Sequence, residues 1–345
     1  MLTAAPAAIL AGMRAARIHR YGPAEEVFRI DDVEPPPLGR RDVRVAIHAS
    51  SVNPIDTKIR AGAQRLLIHY RLPWTLGLDL SGVVEEVGPA VTRFRVGQEV
   101  FGSPRHNRPG CYAEMTSVDE RELALKPASL SHTEAAAIPL AALTAWDCLV
   151  GQAALRAGER ALIHAGAGGV GTMAIQIAKD LGAVVATTCS ARNAELVTSL
   201  GADRVVDYQT ERFEEVLEPQ DVVLDSLGWD SIARSLSILR RGGRLSNIQP
   251  ELPKATARYG QLLGTLVTGL KMAGLPLRGL LRGVRARNLL ARRPSGDNLA
   301  RIAELVERGA LVPQIDSVLP LEAVGEAHRL SETGHARGKI VIAVR

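Results

Sequence analysis

The strongest structural signal in this chain is the stretch Ala161-Leu162-Ile163-His164-Ala165-Gly166-Ala167-Gly168-Gly169-Val170-Gly171. An apolar run typical of a buried strand leads into a glycine-rich turn, and an amphipathic helical pattern over Thr172–Leu181 follows it. Gly166, Gly168 and Gly171 match G-x-G-x-x-G, whose glycines allow a tight turn, close approach to a pyrophosphate and close helix–strand packing. The N terminus of such a helix stabilises phosphate through its free N–H groups and its dipole. The stretch therefore predicts a dinucleotide-binding site.

The composition is that of a soluble α/β protein, since 46% of the 345 residues are hydrophobic, with 32 glycines and 19 prolines. This length predicts about two domains. The formal net charge of +5 comes without interleaved aromatic residues, so nucleic-acid binding is not expected, and the charge suits an anionic cofactor equally well. Cys111, Cys148 and Cys189 are far apart and odd in number, which argues against a disulfide framework and favours a reducing, cytoplasmic location.

The first residues do not predict a secretory leader. Residues 1–12 are alanine-rich but lack a basic segment, and we interpret them as a disordered extension or as an upstream start. Lys271, Pro276 and Arg278 interrupt the apolar run nearest to membrane-span length, Leu262–Leu281. The sequence therefore predicts no integral membrane span.

Residues 13–126 predict a small, partly open β-barrel, because short β-like runs alternate with turns rich in glycine and proline. The predicted strands are Arg14–His19, Val43–Ala49, Gly82–Val87 and Gln98–Phe101. A helical, alanine-rich segment follows over Ser131–Leu149.

From Arg160 onward, strands and helices alternate, which predicts a parallel sheet with right-handed crossovers. The predicted elements are Ala161–His164, Thr172–Leu181, Val184–Thr187, Asn193–Leu200, Arg204–Val206, Val222–Asp225, Ser231–Leu239 and Arg244–Ile248. Arg240-Arg241-Gly242-Gly243 is predicted to end a helix. Lys254–Arg293, rich in Leu and Arg, is predicted to be helical or loop-like, Asn298–Arg308 to be an amphipathic helix, and Gly338–Val344 to be a strand.

The turn after the second strand of this sheet bears on cofactor choice. An NAD site has an acidic residue about 20 residues past the glycine loop, on the ribose hydroxyls. Thr188–Asn193 offers instead the hydroxyl of Ser190 and the guanidinium of Arg192, which suit the 2′-phosphate of NADPH. Tyr208, after the next strand, is placed to reach the same phosphate. The alternative is that Ser190 is a helix N-cap and Arg192 an exposed first-turn residue.

A polar run in the N-terminal half supplies candidate catalytic residues. In Asn53-Pro54-Ile55-Asp56-Thr57-Lys58, Asn53 is suited to hydrogen-bond a substrate carbonyl, and Lys58 to donate a proton or polarise an oxygen. The alternative is that these residues hold a loop conformation, and we favour that structural role for Asp79. Catalytic zinc is not expected, because the eight histidines include no close Cys/His pair.

A longer signature surrounds the glycine loop and comprises Gly158-Glu159, Leu162, Gln176 and Lys179. In these residues the chain resembles the quinone oxidoreductase/ζ-crystallin type of the medium-chain dehydrogenase/reductase superfamily. The resemblance runs over nearly the whole chain, through Ala49–Asp56, Gly77–Val84, Ala142–Trp146, Leu200–Tyr208 and Gly334–Lys339. The last two, with Leu143–Trp146, are similar to the mitochondrial reticulon-4-interacting-protein branch and its bacterial relatives.

The resemblance implies a GroES-like catalytic domain over residues 13–136 and 310–345. It implies a Rossmann NADP-binding domain over residues 137–309, with a Leu/Arg-rich helical segment at 254–293. It also implies NADPH as the hydride donor and quinone-like acceptors, and homodimers are common in the family.

The resemblance assigns roles to single residues as well. It places Thr144 beside the nicotinamide. It implies cofactor contacts from Ala167, Gly169, Val170, Ser190, Tyr208, His335 and Arg337. Leu78 stands where zinc-dependent relatives have the histidine of a G-H-E motif, and the first ligand cysteine is replaced in the Asn53 region. Many quinone oxidoreductases carry a tyrosine where this chain has Lys58, which leaves the acceptor less defined.

Together these observations predict a zinc-independent, NADPH-dependent oxidoreductase with a quinone-like acceptor, for which Asn53, Lys58 and Thr144 are the catalytic candidates. One alternative is a reductase of enones or aldehydes, which shares every cofactor residue. Another is an NADPH- or RNA-binding module with little turnover. The Leu-rich stretch Lys254–Leu290 is predicted to form an apolar wall for the substrate. The arginines of Lys254–Arg293 are interpreted as a solvated helix face, and the alternative is a membrane-surface or partner face.

Overall fold

The computed structural model describes residues 12–67, 69–248, 251–289 and 293–345. Apart from Gly12, the extension predicted at residues 1–12 lies outside this range, and so do Leu290 and Arg292 of the Leu/Arg-rich segment. Among the described residues, no helix is both long enough and apolar enough to cross a membrane.

The N-terminal part consists of short strands joined by turns, in agreement with its Gly- and Pro-rich sequence. Its strands are β1 (Met13–Ile18), β2 (Phe28–Val33), β3 (Asp42–Val52), β4 (Trp74–Thr75), β5 (Leu80–Val87), β6 (Glu99–Gly102), β7 (Met115–Asp119) and β8 (Leu123–Leu125). Its helices are α1 (Ala24–Val27), α2 (Pro54–Arg60), α3 (His132–Ala136) and α4 (Pro139–Trp146). Because α2 begins with Pro54, Asn53 lies at the turn from strand to helix.

The central part alternates strands and helices, as predicted. The strands are β9 (Arg160–Ile163), β10 (Val184–Cys189), β11 (Arg204–Asp207), β12 (Gln220–Asp225), β13 (Leu239–Asn247) and β14 (Arg285–Asn288). The helices are α5 (Gly169–Asp180), α6 (Ala194–Ser199), α7 (Phe213–Val216), α8 (Trp229–Ser237), α9 (Leu252–Leu281) and α10 (Gly296–Glu307). The strands pair in parallel in the order β11-β10-β9-β12-β13-β14, so the order reverses beside β9. Open α/β sheets bind their ligands at such a reversal.

The C-terminal part returns to the N-terminal sheet. It comprises β15 (Ile315–Pro320), α11 (Val324–Glu332) and β16 (Lys339–Ala343). Strand β16 pairs antiparallel with β3, within the order β15-β16-β3-β5-β6-β8, and β7 also pairs with β3. Strands β2, β1 and β4 form a separate small sheet. The predicted fold class, a GroES-like partly open β-barrel plus a Rossmann-type parallel sheet, is confirmed, and the N-terminal sheets do not close into a complete barrel. The boundaries at residues 136/137 and 309/310 stay a prediction.

Two local expectations were wrong. Helix α8 ends at Ser237, and Arg240–Gly243 belongs to β13, because the chain already pairs with β12 at Leu239. Within the segment 254–293, which was predicted to be helical, Arg285–Asn288 is a strand at the edge of the parallel sheet. Its alternating arginines are typical of a short, charged edge strand.

Helix α9 consists of two packed segments. Gly260, with φ 77°, interrupts the helix. A Cβ atom at Gly264 would lie 2.6 Å from the backbone of Ala255, so the second segment packs closely against the first at this glycine. Leu275 and Gly279 of the second segment are buried, and Leu275 packs in the core beneath the sheet.

Candidate active site

The glycine loop joins β9 to α5 at the point where the strand order reverses. A Cβ atom at Gly166 would lie 2.0 Å from Thr187 Oγ1, and one at Gly171 would lie 2.3 Å from the Ala165 carbonyl oxygen. Both glycines are therefore required by packing. At Gly168 the nearest atom would be 3.4 Å away, so the backbone is accessible from outside. These are the three glycine roles of a pyrophosphate-binding turn.

The ring of His164 supports this loop from beneath. His164 is buried, with Nδ1 3.1 Å from Thr188 Oγ1 and Nε2 3.1 Å from Ser235 Oγ. Asp225 accepts hydrogen bonds from the Ser235 and Ser231 hydroxyls. Burial lowers the pKa of His164 to about 4, so the ring is neutral at physiological pH.

The residues predicted to bind the cofactor outside the glycine loop come from two separate parts of the chain. Ser190 is nearly buried directly after β10, and Arg192 is exposed two residues later. The Arg337 guanidinium donates a hydrogen bond to the Arg192 carbonyl oxygen at 3.3 Å. Three of the predicted residues therefore converge at the carboxyl end of β10. Tyr208 is 61% exposed after β11, its N–H donating to Cys189, and His335 is also exposed.

The segment before β16 lies against the glycine loop. The Gly338 N–H donates to the Ala167 carbonyl oxygen at 2.8 Å, and Gly338 forms a parallel bridge with Gly168. A Cβ atom at Gly169 would lie 2.8 Å from Cδ of Lys339. The aliphatic part of Lys339 thus packs on the first turn of α5, and the C-terminal segment connects the two halves of the molecule.

A buried polar network centres on Asp79. Its carboxylate accepts hydrogen bonds from Ser51 Oγ, Asn53 Nδ2 and the Leu140 N–H, each at 2.7 Å. Lys339 Nζ lies 3.3 Å from Asp79 Oδ2 and donates to Asn53 Oδ1 at 2.5 Å. Since Leu140 is in the first turn of α4, Asp79 also anchors the helix that carries Thr144. The structural role that we favoured for Asp79 agrees with these contacts.

The amide of Asn53 is held by protein groups on both sides. Its oxygen accepts from Lys339, and its nitrogen donates to Asp79 and, at 3.5 Å, to the Ser51 carbonyl oxygen. A hydrogen bond to a substrate would have to replace one of these partners. The structure therefore favours a positioning role for Asn53 over the substrate contact predicted from the sequence.

Thr144 and Lys58 lie in different surroundings. The Thr144 hydroxyl donates to the Leu140 carbonyl oxygen at 2.7 Å, which leaves its oxygen able to accept a hydrogen bond. Burial lowers the pKa of Lys58, and the Glu251 carboxylate before α9 opposes that shift. Lys58 is therefore electrostatically linked to the start of α9, whereas Asn53 is linked to Lys339.

Sequence reasoning assigned no role to Lys339, and for Asp56 it offered only that of holding a loop conformation. Burial raises the pKa of Asp56 to about 7, although its carboxylate accepts a hydrogen bond from the Asn53 N–H at 2.9 Å. Tyr112 donates to the same carboxylate at 3.3 Å, and His328 Nε2 lies 3.2 Å from the Tyr112 hydroxyl. The signal for Lys339 was a lysine at the start of an otherwise apolar strand.

The leucines predicted to line the substrate site face solvent instead. Leu262, Leu263 and Leu266 are 80%, 51% and 58% exposed. The reason is that small residues, Gly264 and Thr268, occupy the side of α9 that packs on the protein. Across the described ranges, no group of three or more His, Cys, Asp or Glu side chains is placed to hold a metal ion. Zinc independence stays a prediction.

Known proteins resemble this chain along almost its entire length. Residues 39–128 match the family described as alcohol dehydrogenase GroES-like domain, and residues 200–342 match the family described as zinc-binding dehydrogenase. The mitochondrial NAD(P)H oxidoreductase RTN4IP1 of Mus musculus is 38% identical over 88% of this chain and 82% of its own length. The chloroplastic NADPH-dependent alkenal/one oxidoreductase of Arabidopsis thaliana is 30% identical over 98% of this chain and 81% of its own length.

Solved structures show the same architecture. The quinone oxidoreductase from Coxiella burnetii, 32% identical, superposes with a TM-score of 0.81 and covers 97% of this chain and 100% of its own. The Escherichia coli quinone oxidoreductase complexed with NADPH, 26% identical, has a TM-score of 0.78 and covers 96% of this chain and 100% of its own.

Proposed function

Because this chain belongs to the medium-chain dehydrogenase/reductase superfamily and is a nicotinamide-dependent oxidoreductase, we propose that it uses NADPH to reduce a quinone-like acceptor without zinc. The observation that carries the NADPH assignment is the convergence of Ser190, Arg192 and Arg337 at the carboxyl end of β10. Two guanidinium groups and a hydroxyl favour a dianionic phosphate at the place where NAD-selective enzymes have a carboxylate.

The glycine loop fits the pyrophosphate of this cofactor. The backbone of Gly168 is accessible, and the first turn of α5 directs its N–H groups outward from the loop. Bound NADPH supplies the hydride. The chain positions the cofactor. The hydrogen bond from the Gly338 N–H to the Ala167 carbonyl oxygen holds the glycine loop against the segment that carries Arg337.

The reacting end of the site lies on the α4 side of the buried network. Asp79 fixes the first turn of α4, and Thr144 lies one turn further, with an oxygen able to accept a hydrogen bond. We propose that Thr144 orients the nicotinamide. Asn53 and Lys339 keep the strand-to-helix turn at α2 in place, so that the two halves of the cleft stay in register.

A quinone is the acceptor that requires least from the protein, because its ring stabilises the anion that forms on hydride addition. The resemblance to quinone oxidoreductases, including one that was solved with NADPH, supports this choice. The second candidate is reduction of an activated C=C bond. It is favoured by the similarity to an alkenal/one oxidoreductase and by Lys58, because burial lowers the pKa of its ammonium group and so makes that group a stronger acid.

The cofactor assignment is tested with kcat/KM for NADPH and NADH in Arg192→Ala and Arg337→Ala variants. Each change is expected to lower the NADPH value about tenfold, because a charge-assisted contact is lost, and to alter the NADH value less than about twofold. Arg301→Ala, at an exposed position on α10, serves as the matched control. An unchanged NADPH preference in both variants contradicts the phosphate assignment.

The acceptor is tested at saturating NADPH with a panel of quinones, enones and aldehydes. A quinone preference that persists after exhaustive chelation supports the zinc-independent proposal. A preference for enones that Lys58→Met abolishes, while quinone turnover persists, supports the second candidate. Loss of all activity on chelation, restored by Zn²⁺, contradicts zinc independence.

A further inference from the structure

The second segment of α9 presents an apolar stripe to solvent. Leu262, Leu270 and Leu281 are 80%, 65% and 79% exposed. The other exposed leucines recur at helical spacing on the same side: Leu263, Leu266, Leu277 and Leu280. At 1.5 Å per residue, the stripe from Leu262 to Leu281 is about 28 Å long. An exposed apolar surface of this extent marks an interaction site.

The pattern of α9 is the reverse of that of a soluble surface helix. Its protein-facing side is built of small residues, since a Cβ atom at Gly279 would lie 2.9 Å from Ala286 and one at Gly264 would meet Ala255. Thr268 is buried on the same side. The helix therefore packs through its glycines, Thr268 and Leu275, and its other leucines face outward, where the intramolecular contacts described above do not cover them.

The described stretch that carries the stripe is cationic. From Leu252 to Leu289 it contains no aspartate or glutamate and seven cations, of which Lys254 pairs with Glu251 and the others are Arg258, Lys271, Arg278, Arg282, Arg285 and Arg287. Leucines beside cations favour an anionic lipid surface, where the apolar side chains enter the interface and the cations meet headgroups. A second copy packed face to face would bring two cationic surroundings together, which costs repulsion.

The stripe begins beside the catalytic half. Gln261, just before Leu262, donates from Nε2 to the Gly62 carbonyl oxygen at 3.4 Å. Gly62 follows α2, whose N-terminal turn holds Asn53. Leu66 and Leu67, shortly after Gly62, are 50% and 65% exposed. Exposed leucines are therefore present both on α9 and on the loop after α2, and the Gln261–Gly62 hydrogen bond joins these two segments.

We propose that the α9 stripe docks this protein on the surface of an anionic phospholipid bilayer, with the mouth of the cleft next to the lipid. Docking would give the site access to acceptors that partition into the bilayer, and this consequence, unlike docking itself, rests on the proposed quinone-like acceptor. Because vesicle binding is measured without acceptor or turnover, failure of docking and failure of the proposed function are distinguishable.

The test is flotation of the full chain with two kinds of vesicle, phosphatidylcholine alone and phosphatidylcholine mixed with phosphatidylglycerol. The wild type is expected to float with the mixed vesicles and much less with the neutral ones. Leu270→Glu combined with Leu277→Glu is expected to weaken binding at least about tenfold. Arg278→Gln combined with Arg282→Gln is expected to weaken it about five-fold per cation.

The matched control is Val184→Glu combined with Val318→Glu, at positions 49% and 50% exposed away from α9. It is expected to bind like the wild type. An unchanged midpoint of urea denaturation shows that the leucine variant is folded. The proposal is overturned if the wild type does not bind mixed vesicles, or if the leucine and control variants bind equally. It is also overturned if sedimentation velocity shows an oligomer that the leucine variant dissociates, since a second copy then covers the stripe.

Discussion

Replacing Lys339 by methionine removes the cation of the buried network and keeps the unbranched chain that packs on Gly169. In the wild type, Lys339 Nζ donates to Asn53 Oδ1 at 2.5 Å and to the Val52 carbonyl oxygen at 3.0 Å, and it lies 3.3 Å from Asp79 Oδ2. The Lys339 and Asp79 side chains are 4% and 0% exposed. The Lys339→Met change therefore leaves a buried carboxylate without its cation.

The expected loss of stability is about 3 kcal/mol. Removing one partner of a buried ion pair costs about 3–5 kcal/mol, because the remaining charge stays in a low-dielectric environment. The lower end applies here because Asp79 keeps its hydrogen bonds from Ser51, Asn53 and the Leu140 N–H. We expect the urea midpoint to fall while the slope with denaturant stays constant.

Lys126→Met is a matched control. Lys126 is also 4% exposed, but its carboxylate partner, Glu99, is 52% exposed. Water can therefore solvate the carboxylate that remains, and we expect a loss of about 1 kcal/mol. The difference between the two variants isolates the cost of a stranded buried charge.

A double-mutant cycle with Asp79→Asn completes the test. If Lys339 and Asp79 interact as the structure shows, adding Asp79→Asn to Lys339→Met costs less than Asp79→Asn costs alone, with a coupling of about 1 kcal/mol or more. Additivity within about 0.5 kcal/mol refutes the reasoning. A loss in Lys339→Met no larger than that in Lys126→Met refutes it as well.

Two further predictions concern single residues. Burial raises the pKa of Asp56 from 3.8 to about 7, so its stabilising contribution is present below pH 4 and is lost as the pH rises to 7. From pH 5 to pH 8, the free energy of unfolding of Asp56→Asn, measured by urea denaturation, should therefore rise by about 2–3 kcal/mol relative to that of the wild type. A difference between the two proteins that does not change with pH contradicts this prediction. Gly166→Ala should lower the melting temperature, because its Cβ would lie 2.0 Å from Thr187 Oγ1. Gly168→Ala should leave the melting temperature unchanged and raise KM for NADPH about tenfold. Equal decreases in melting temperature contradict the packing role of Gly166 and the cofactor-binding role of Gly168.

The parallel sheet was predictable because its signals are local. Each strand there is a short apolar run. The six residues Gly166–Gly171 are sufficient to predict the conformation of the glycine loop. The edge strand Arg285–Asn288 was missed because it contains few apolar residues. It is a strand because its backbone pairs with that of β13. Local pattern fails where a neighbour in space provides the hydrogen bonds.

The candidate site was predictable only in part, because its polar network joins distant residues. Ser190 and Arg192 follow from a turn and its spacing, whereas Lys339 meets Asn53 286 positions away along the chain. Asn53 was predicted to contact the substrate, because no local pattern showed that its amide oxygen and nitrogen are already hydrogen-bonded to Lys339 and Asp79. Likewise, the leucines of α9 suggested an apolar wall for the substrate. The glycines that lie on its protein-facing side indicated the opposite orientation of the helix, but they were a weaker signal.

The return of β16 to β3 also constrains how the protein is made. Val52 and Lys339 are 287 positions apart, so at typical rates of translation β3 waits about 15–60 s for its partner strand. The parallel sheet lies between them in sequence and can form on the ribosome. Strand β7 can pair with Asp42–Ala46 early, whereas Ala49–Val52 of β3 lacks its partner on that edge until β16 leaves the exit tunnel. An unpaired edge can bind a strand from another chain. Nascent or truncated chains that lack residues 339–345 are therefore the species most exposed to aggregation and to capture by chaperones.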